Sequence, residues 1–174
     1  MAQTLRMMSK IAVFPGSFDP ITTGHAELVR RALPLFDKII VAIGVNSQKQ
    51  TLFTLEQRIA WIKAVFADEP RVEVDWFENL TAHYCTRIGA RYLLRGLRNA
   101  SDFDYEKTIS QLNHIVGGGL ETIFLISDPA YSHISSTIVR EIIKGGGDAS
   151  PFLPKAVRPE GISSTSGSHL PGQG

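Results

Sequence analysis

The sequence predicts an α/β domain in which five parallel strands alternate with helices on both faces of a single sheet. Short apolar runs of strand length recur along the 174 residues, and segments with apolar residues at helical spacing separate them. Several of the runs end in glycine, serine, threonine or arginine, at the edge where open parallel sheets bind their ligands. Together these observations favour a doubly wound, Rossmann-like fold of the dinucleotide-binding type.

The first predicted unit is a strand, a loop and a helix. Residues 11–14 form an apolar run of strand length, and apolar residues recur with helical spacing from Leu28 to Leu33. Between them lies the first loop, residues 16–25, which reads GSFDPITTGH. A loop that opens a helix after a parallel strand presents free N–H groups and the positive end of the helix dipole. We therefore expect the first loop to bind an anion, most simply a phosphate.

Five residues of the first loop carry this expectation. Gly16 and Gly24 allow a ligand to approach the backbone closely, and Ser17 and Thr22 are short hydroxyl donors. His25 can donate a hydrogen bond to a phosphoryl oxygen whose negative charge rises in a transition state. The alternative is an ordinary turn followed by a histidine that caps or packs the helix, and the loop alone does not separate the two readings.

The second strand and its loop add a cation. Residues 38–45 are almost continuously apolar, as expected for a strand buried on both faces, and Pro34 predicts that the first helix ends near Leu33. The polar loop at 46–50 leaves the carboxyl end of this strand, so Lys49 is a candidate phosphate ligand. Taken alone, a loop lysine is more often a solvated surface charge.

The middle of the chain continues the alternation. Residues 54–57 form a capping box that opens a helix to about Phe66, and the alternating residues 72–76 predict the third strand. Thr81 is expected to cap the short helix that carries Cys85.

The fourth predicted strand, residues 92–94, runs into a loop with two arginines. Arg95 and Arg98 at a strand exit suggest a polyphosphate ligand, because arginine binds phosphate through two parallel hydrogen bonds. Gly96 between them is expected to let the loop fold around that ligand. A pair of exposed arginines is also common on protein surfaces.

The last predicted elements present a row of hydroxyls. Ser101 is expected to cap a helix that ends at the glycines of 117–119, and residues 122–126 predict the fifth strand. A final helix begins after hydroxyl side chains that can hold phosphates, namely Ser135, Ser136 and Thr137. The alternative is ordinary capping, which only one of the three can provide.

Composition excludes several classes of protein. The 18 basic and 17 acidic residues nearly balance, so we expect no nucleic-acid partner. Cys85 is the single cysteine, which excludes an intramolecular disulfide, and no apolar run predicts a signal peptide or membrane span. We expect a cytoplasmic protein with one domain at 8–158, a flexible leader at 1–7 and a flexible tail at 159–174.

The combination of motifs is more specific than any one of them. The first loop resembles the T/HxGH signature of the nucleotidyltransferase superfamily, and its PITTGH form resembles phosphopantetheine adenylyltransferases. Residues 95–106 are similar to the R-G-L-R and D-F-x-Y-E block of that family, and residues 134–137 resemble its I-S-S-S/T motif. The resemblance covers about residues 8–158. It implies transfer of the AMP part of ATP to 4′-phosphopantetheine, giving dephospho-coenzyme A and pyrophosphate in coenzyme A biosynthesis.

The same resemblance implies roles for individual residues. The implied catalytic residues are His25, Lys49 and Arg95. The implied ATP-binding residues are Ser17, Phe18, His25, Gly96, Arg98, Glu106, Ser135, Ser136 and Thr137. The implied acceptor-binding residues are Ser17, Lys49, Asn79, Leu80, Arg95 and Tyr105. Asn79 stands where the family usually has aspartate, which weakens its own assignment.

Cofactor, assembly and regulation are expected from the resemblance alone. It implies Mg²⁺ bound through the ATP phosphates with no dedicated protein ligand, a homohexamer, and feedback inhibition by coenzyme A. One alternative is a related adenylyltransferase that acts on nicotinamide mononucleotide, since residues 134–140 look somewhat like that branch, although the block at 95–106 argues against it. Another is a non-catalytic nucleotide sensor, against which the retention of His25, Lys49 and both arginines argues.

Overall fold

A computed structural model describes residues 9–159 of the chain. The leader predicted at 1–7 lies outside the described residues, as does all of the predicted tail except its first residue, Pro159. Within the described part, no helix is long and apolar enough to cross a membrane.

The described residues contain one sheet of five strands, and every neighbouring pair is parallel. The strands are β1 (Ile11–Gly16), β2 (Lys38–Val45), β3 (Val72–Glu78), β4 (Tyr92–Leu97) and β5 (Glu121–Ile126). Their spatial order is β3-β2-β1-β4-β5, so the direction of winding reverses between β1 and β4. The predicted five-stranded parallel sheet is confirmed.

Five α-helices connect and cover these strands. They are α1 (Thr23–Ala32), α2 (Leu55–Val65), α3 (Thr81–Ile88), α4 (Ala100–Val116) and α5 (Ser136–Lys144), and short 3₁₀ turns lie at Leu33–Leu35 and Ser150–Phe152. The first turn contains Pro34, which confirms that α1 ends just before the proline.

Alternating strand residues build two cores, one on each face of the sheet. In β1, Ala12 and Phe14 pack in a cluster with residues of α1, α2 and α5, whereas Val13 packs in a second cluster with residues of α3. In β2, five consecutive residues from Ile39 to Ile43 are buried, as a strand covered on both faces requires. Helices therefore lie on both faces of the sheet, as the doubly wound prediction requires.

Three local predictions are wrong. Thr81 is the first residue of α3 and does not cap it; the capping position belongs to Leu80, whose side chain makes no capping hydrogen bond. Asn99, not Ser101, caps α4, because its side chain accepts a hydrogen bond of 2.9 Å from the backbone N–H of Asp102. The fourth strand extends to Leu97, so Arg95 and Gly96 lie in β4 and not in a loop.

Candidate active site

A cavity of about 610 Å³ lies at the carboxyl ends of β1 and β4, where the winding of the sheet reverses. This is the position at which open α/β sheets bind ligands. Its walls come from the first loop, from the lysine loop (residues 46–54, between β2 and α2), from the end of β4 with the start of α4, and from the segment that opens α5. The four segments that the sequence marked as candidates for phosphate binding therefore meet in one place.

His25 lies in the first turn of α1 and its side chain lines this cavity. The backbone N–H of Thr22 donates a hydrogen bond of 3.1 Å to Nδ1 of His25, and the hydroxyl of Thr22 lies 3.1 Å from the same nitrogen. In return, the backbone N–H of His25 donates to the Thr22 hydroxyl at 3.4 Å. Because Nδ1 accepts, a neutral ring must carry its proton on Nε2. The histidine therefore both caps the helix and keeps one N–H donor for a ligand.

The electrostatic surroundings of His25 favour the neutral ring. Burial, followed by the positive charges of Arg95 and Arg98, lowers the pKa of His25 from 6.5 to about 4. The imidazole is thus neutral near pH 7. A neutral donor beside two guanidinium groups can hydrogen-bond to a phosphoryl oxygen without adding a third positive charge to the cavity.

Ser17 and Phe18 contribute to the site in different ways. Ser17 is exposed and lines the cavity, and its carbonyl accepts a hydrogen bond of 2.8 Å from Nη1 of Arg58. The ring of Phe18 is only 2% exposed and packs edge-on against the rings of Phe14 and His25, at 5.3 and 5.2 Å between centroids. The Phe18 side chain therefore holds the histidine ring in place, and mainly the backbone of Phe18 can serve a ligand.

Arg95 and Glu106, which the sequence assigned to different substrates, form a pair. Nε of Arg95 donates to Oε2 of Glu106 at 2.8 Å, Nη2 donates to Oε1, and Nη1 donates to the carbonyl of Pro15 at 2.9 Å. Within α4, all of which the structure describes, only Glu106 is buried. The bidentate pair fixes the plane of the guanidinium at the edge of the cavity.

Arg98 and Gly96 complete the wall formed by β4. The guanidinium of Arg98 is held by Asp102 through hydrogen bonds of 3.0 and 3.2 Å, and both residues line the cavity. Gly96 is required by packing, since a Cβ at this position would overlap Cδ1 of the buried Leu28. The sequence predicted that Gly96 lets a loop bend. Gly96 instead lies in β4, where its missing side chain allows β4 and α1 to approach each other closely.

The three hydroxyls at the start of α5 all line the cavity, but they have different partners. Ser135 caps the helix by accepting a hydrogen bond of 3.2 Å from the N–H of Ile138. The Ser136 hydroxyl donates to the carbonyl of Pro20 at 2.8 Å, and the Thr137 hydroxyl accepts from Arg140 at 3.1 Å. As expected, only one of the three caps the helix, and the other two connect α5 to the first loop and to Arg140.

Lys49 lines the cavity from the exposed part of the lysine loop. The loop folds back on itself, because the N–H of Lys49 donates to the carbonyl of Asn46 at 3.0 Å. Lys49 and the segment that opens α5 therefore contribute to the lining of the same cavity.

A second cavity of about 290 Å³ lies beside the first, towards α3 and α4. Both cavities are lined by Pro15, Gly16, Arg95 and Glu106, so the Arg95–Glu106 pair stands on their common wall. Asn79 and Tyr105 line the second cavity, whereas Leu80 lines neither. Asn79 has a φ of 68°, in the left-handed region that asparagine tolerates better than most residues.

The sequence of this chain is similar to those of several known proteins. The family model for cytidylyltransferase-like proteins matches residues 13–142. A phosphopantetheine adenylyltransferase of Flavobacterium psychrophilum is 51% identical over 84% of this chain and 97% of its own length. Proteins of the same name from Cytophaga hutchinsonii and Leptospira biflexa are 52% and 47% identical, over 84% and 86% of this chain and over 98% and 94% of their own lengths. The chain belongs to the phosphopantetheine adenylyltransferase family. The resemblance seen in the sequence is thereby confirmed.

A solved structure shows that the fold extends beyond the phosphopantetheine adenylyltransferase family. A bifunctional NMN adenylyltransferase/ADP ribose pyrophosphatase of Francisella tularensis, complexed with AMP and manganese ion, matches with a TM-score of 0.61. Its sequence is 17% identical, and the match covers 84% of this chain and 44% of that protein. The likeness therefore concerns the nucleotidyltransferase fold alone.

The structure also brings together residues that the sequence did not single out in this member of the phosphopantetheine adenylyltransferase family. Asp19, Asp102 and Arg140 line the larger cavity, and Asn113 and Thr122 line the smaller one. Asp19 was part of the first-loop signature, but the sequence assigned no role to it. Arg140 lies one helical turn after Thr137 and ends the segment 134–140 that resembles the nicotinamide mononucleotide branch, and neither signal assigned it to the site.

Proposed function

We propose that this chain transfers the adenylyl group of ATP to 4′-phosphopantetheine, which yields dephospho-coenzyme A and pyrophosphate in coenzyme A biosynthesis. The relatives described above bear the name of this activity and match the chain over most of its length. The structural observation that supports the proposal best is His25, whose proton is held on one ring nitrogen close to two arginines in the larger cavity.

The reaction makes and breaks one bond at the same phosphorus atom. A phosphate oxygen of the acceptor attacks the α-phosphorus of ATP, and the bond from that phosphorus to the oxygen shared with the β-phosphate breaks. The electron pair of that bond leaves with pyrophosphate. The attacking phosphate is already an anion near pH 7, so no side chain has to take a proton from it. The protein is left with positioning the two substrates and stabilising negative charge.

We assign His25 to the α-phosphate, where its Nε2–H donates to an oxygen whose charge rises as the bonds change. Ser17, the backbone of Phe18, Gly96, Arg98, and the three hydroxyls at the start of α5 are assigned to ATP. The α5 segment suits the β- and γ-phosphates, because it combines hydroxyls with the free N–H groups and positive dipole of a helix start.

The acceptor is assigned to the part of the larger cavity lined by Lys49 and Arg95 and to the smaller cavity. Lys49 and Arg95 bind its phosphate, with Ser17 between them and the ATP phosphates. The pantetheine arm then extends into the smaller cavity, past Asn79 and Tyr105. Glu106, assigned to ATP from the sequence, gains a second role, because it holds the Arg95 guanidinium that stands between the two cavities.

Pyrophosphate release tests this function directly. The purified chain should release pyrophosphate from ATP with 4′-phosphopantetheine and not with nicotinamide mononucleotide in its place. His25→Asn should lower turnover by about 100-fold or more while ATP binding, measured by calorimetry, changes little, because the hydrogen bond matters mainly in the transition state. Turnover with nicotinamide mononucleotide alone would favour the related enzyme, and ATP binding without any turnover would favour a sensor.

We propose that ATP binds as its magnesium complex. Mg²⁺ commonly reaches such sites bound to substrate phosphates and waters, without a cage of protein ligands. Among residues 9–159, no group of three or more His, Cys, Asp or Glu side chains is placed to hold a metal ion. Excess chelator should abolish pyrophosphate release and added magnesium should restore it, whereas turnover that survives the chelator would contradict this proposal.

We also propose a homohexamer that coenzyme A inhibits in competition with 4′-phosphopantetheine. Exposed apolar side chains on α4, among them Leu112, Ile115 and Val116, give an assembly apolar surface to bury. Coenzyme A carries the same pantetheine arm as the acceptor, so a cavity shaped for the arm should admit both. A monomer mass by light scattering would contradict the assembly, and inhibition that saturating acceptor does not relieve would contradict the shared site.

A further inference from the structure

Asp19 is a buried carboxylate in the first loop that the proposed reaction does not use. Its exposed fraction is 3%, although it lines the larger cavity. Each carboxylate oxygen accepts one backbone N–H from the lysine loop: Oδ2 accepts from Leu52 at 2.8 Å, and Oδ1 accepts from Phe53 at 2.9 Å. These two hydrogen bonds join Asp19 to residues that follow it by 33 and 34 positions in the sequence.

Two arginines hold the backbone of the first loop, which contains Asp19. Nη1 of Arg140 donates to the carbonyl of Asp19 at 2.8 Å, and Nη1 of the buried Arg58 donates to the carbonyl of Ser17 at 2.8 Å. These bonds end on backbone oxygens, so they remain when the Asp19 side chain is changed. The distance from Arg140 to the Asp19 carboxylate itself is 3.9 Å, longer than either bond to the lysine loop. The side chain of Asp19 is therefore directed chiefly at the lysine loop.

Lys49 lies close in sequence to this anchor. It is three residues before Leu52, and residues 49–52 are exposed. On its other side, Lys49 is held within its own loop by the hydrogen bond from its N–H to the carbonyl of Asn46. His25 lies in the same first loop as Asp19. The Asp19 carboxylate therefore links the loop that contains Lys49 to the loop that contains His25, and both residues line the larger cavity.

We infer that Asp19 is a positioning residue that fixes Lys49 relative to His25 and thereby determines how tightly the acceptor phosphate binds. The inference rests on the proposed function, since it concerns the acceptor of that reaction. It assigns to Asp19 a larger effect on the acceptor than on ATP, because the hydrogen bonds that tie α5 to the first loop end on the backbone carbonyls of Pro20 and Asp19, and the Asp19 carboxylate approaches Arg140 only at 3.9 Å.

A double-mutant cycle tests the inference. In Asp19→Asn the side-chain NH₂ group faces a backbone N–H, so one of the two hydrogen bonds to the lysine loop is lost. We expect the KM for 4′-phosphopantetheine to rise about tenfold, the usual size for a lost charge-assisted bond, while the Kd for ATP stays within twofold. In a Lys49→Ala background the same change should have little further effect on the acceptor KM, because the residue through which it acts is gone.

A second variant leaves the buried carboxylate intact. One glycine inserted after Gln50, at an exposed position, lengthens the stretch between Lys49 and the anchored N–H groups. We expect it to raise the acceptor KM without changing ATP binding, and again to have little effect when Lys49 is alanine. The matched control is Asp75→Asn, since Asp75 also accepts from a backbone N–H, at 2.8 Å to Trp76, and lines neither cavity. It should leave both substrates unaffected.

The outcomes separate this inference from the proposed function. A wild-type chain without turnover on 4′-phosphopantetheine would overturn the proposed function and the inference with it. Wild-type turnover together with an unchanged acceptor KM in the insertion variant would overturn the inference alone. So would Asp19→Asn raising the acceptor KM by the same factor with and without Lys49, because the aspartate would then act elsewhere. If Asp19→Asn does not fold, the insertion variant decides.

Discussion

His25 should make the stability of this protein fall in mild acid, and the variant His25→Asn should lose that dependence. In the folded chain the pKa of His25 is lowered from 6.5 to about 4, first by burial and then by the charges of Arg95 and Arg98. In the unfolded chain the ring returns to its ordinary value. Between these two values the unfolded state binds a proton that the folded state does not, so lowering the pH favours unfolding.

The size of the effect follows from the two pKa values. One pH unit of difference corresponds to about 1.4 kcal/mol, so a pKa lowered from 6.5 to about 4 removes about 2 kcal/mol of folding free energy at pH 5. The loss reaches about 3 kcal/mol at pH 4. Above pH 7 the contribution is fully present and no longer changes, because the ring is neutral in both states.

Urea denaturation at fixed protein concentration from pH 7.5 to pH 4 measures this contribution. The carboxylates of the protein titrate in both proteins, so the difference in free energy of unfolding between wild type and His25→Asn isolates the histidine. A difference that stays constant over the whole range would refute the lowered pKa. A difference that changes in the opposite direction, with wild type gaining stability relative to His25→Asn as the pH falls, would mean that folding raises the pKa of His25, and it would refute the assignment of His25 as a neutral Nε2–H donor.

Three further predictions concern other parts of the site. Lys49→Ala should raise the KM for 4′-phosphopantetheine and lower turnover, and calorimetry should show a smaller change in ATP affinity; a large ATP defect with intact acceptor binding would reverse the assignment. Gly96→Ala should lower the free energy of unfolding by about 1–3 kcal/mol through overlap with Leu28, and thermal unfolding should show that the same change costs less in a Leu28→Ala background, where the overlap is absent. Thr122→Val should raise the free energy of unfolding by about 1 kcal/mol, because the buried Thr122 hydroxyl has no hydrogen-bond partner; a loss of stability would indicate a partner that forms in solution.

Residue patterns along the chain predicted the fold, because apolar runs and helix caps depend on residues that are close together in sequence. The almost continuous apolar run of β2 is a direct consequence of covering both faces, and all of its central residues are buried. The capping box at Thr54 formed as expected, since the side-chain oxygen of Gln57 accepts a hydrogen bond of 3.0 Å from the Thr54 N–H. The cap of α4 was misplaced because Asn99 and Ser101 are both good capping residues, and only the backbone decides between them.

The residues proposed from the sequence line one of the two adjoining cavities, except for Leu80, but the sequence did not predict how they pair with one another. Arg95 and Glu106 were each recognised from a motif, but motifs do not state that two of their members bind each other. The extension of β4 explains this pairing. Because Arg95 lies in the strand and not in a loop, its side chain has a fixed direction. It meets α4 at Glu106, the buried residue of that helix.

Asp19 shows why the remaining part could not be read from the sequence. Beside Pro20, an aspartate is a typical turn residue, and its local sequence gives no reason to expect burial. Its partners are backbone N–H groups of Leu52 and Phe53, which carry no side-chain signal and lie in a loop that only the pairing of β1 with β2 brings near. A carboxylate whose oxygens both accept backbone N–H groups ties two loops together whatever side chains those loops carry, so its effect on Lys49 follows from the arrangement of the strands and not from a motif.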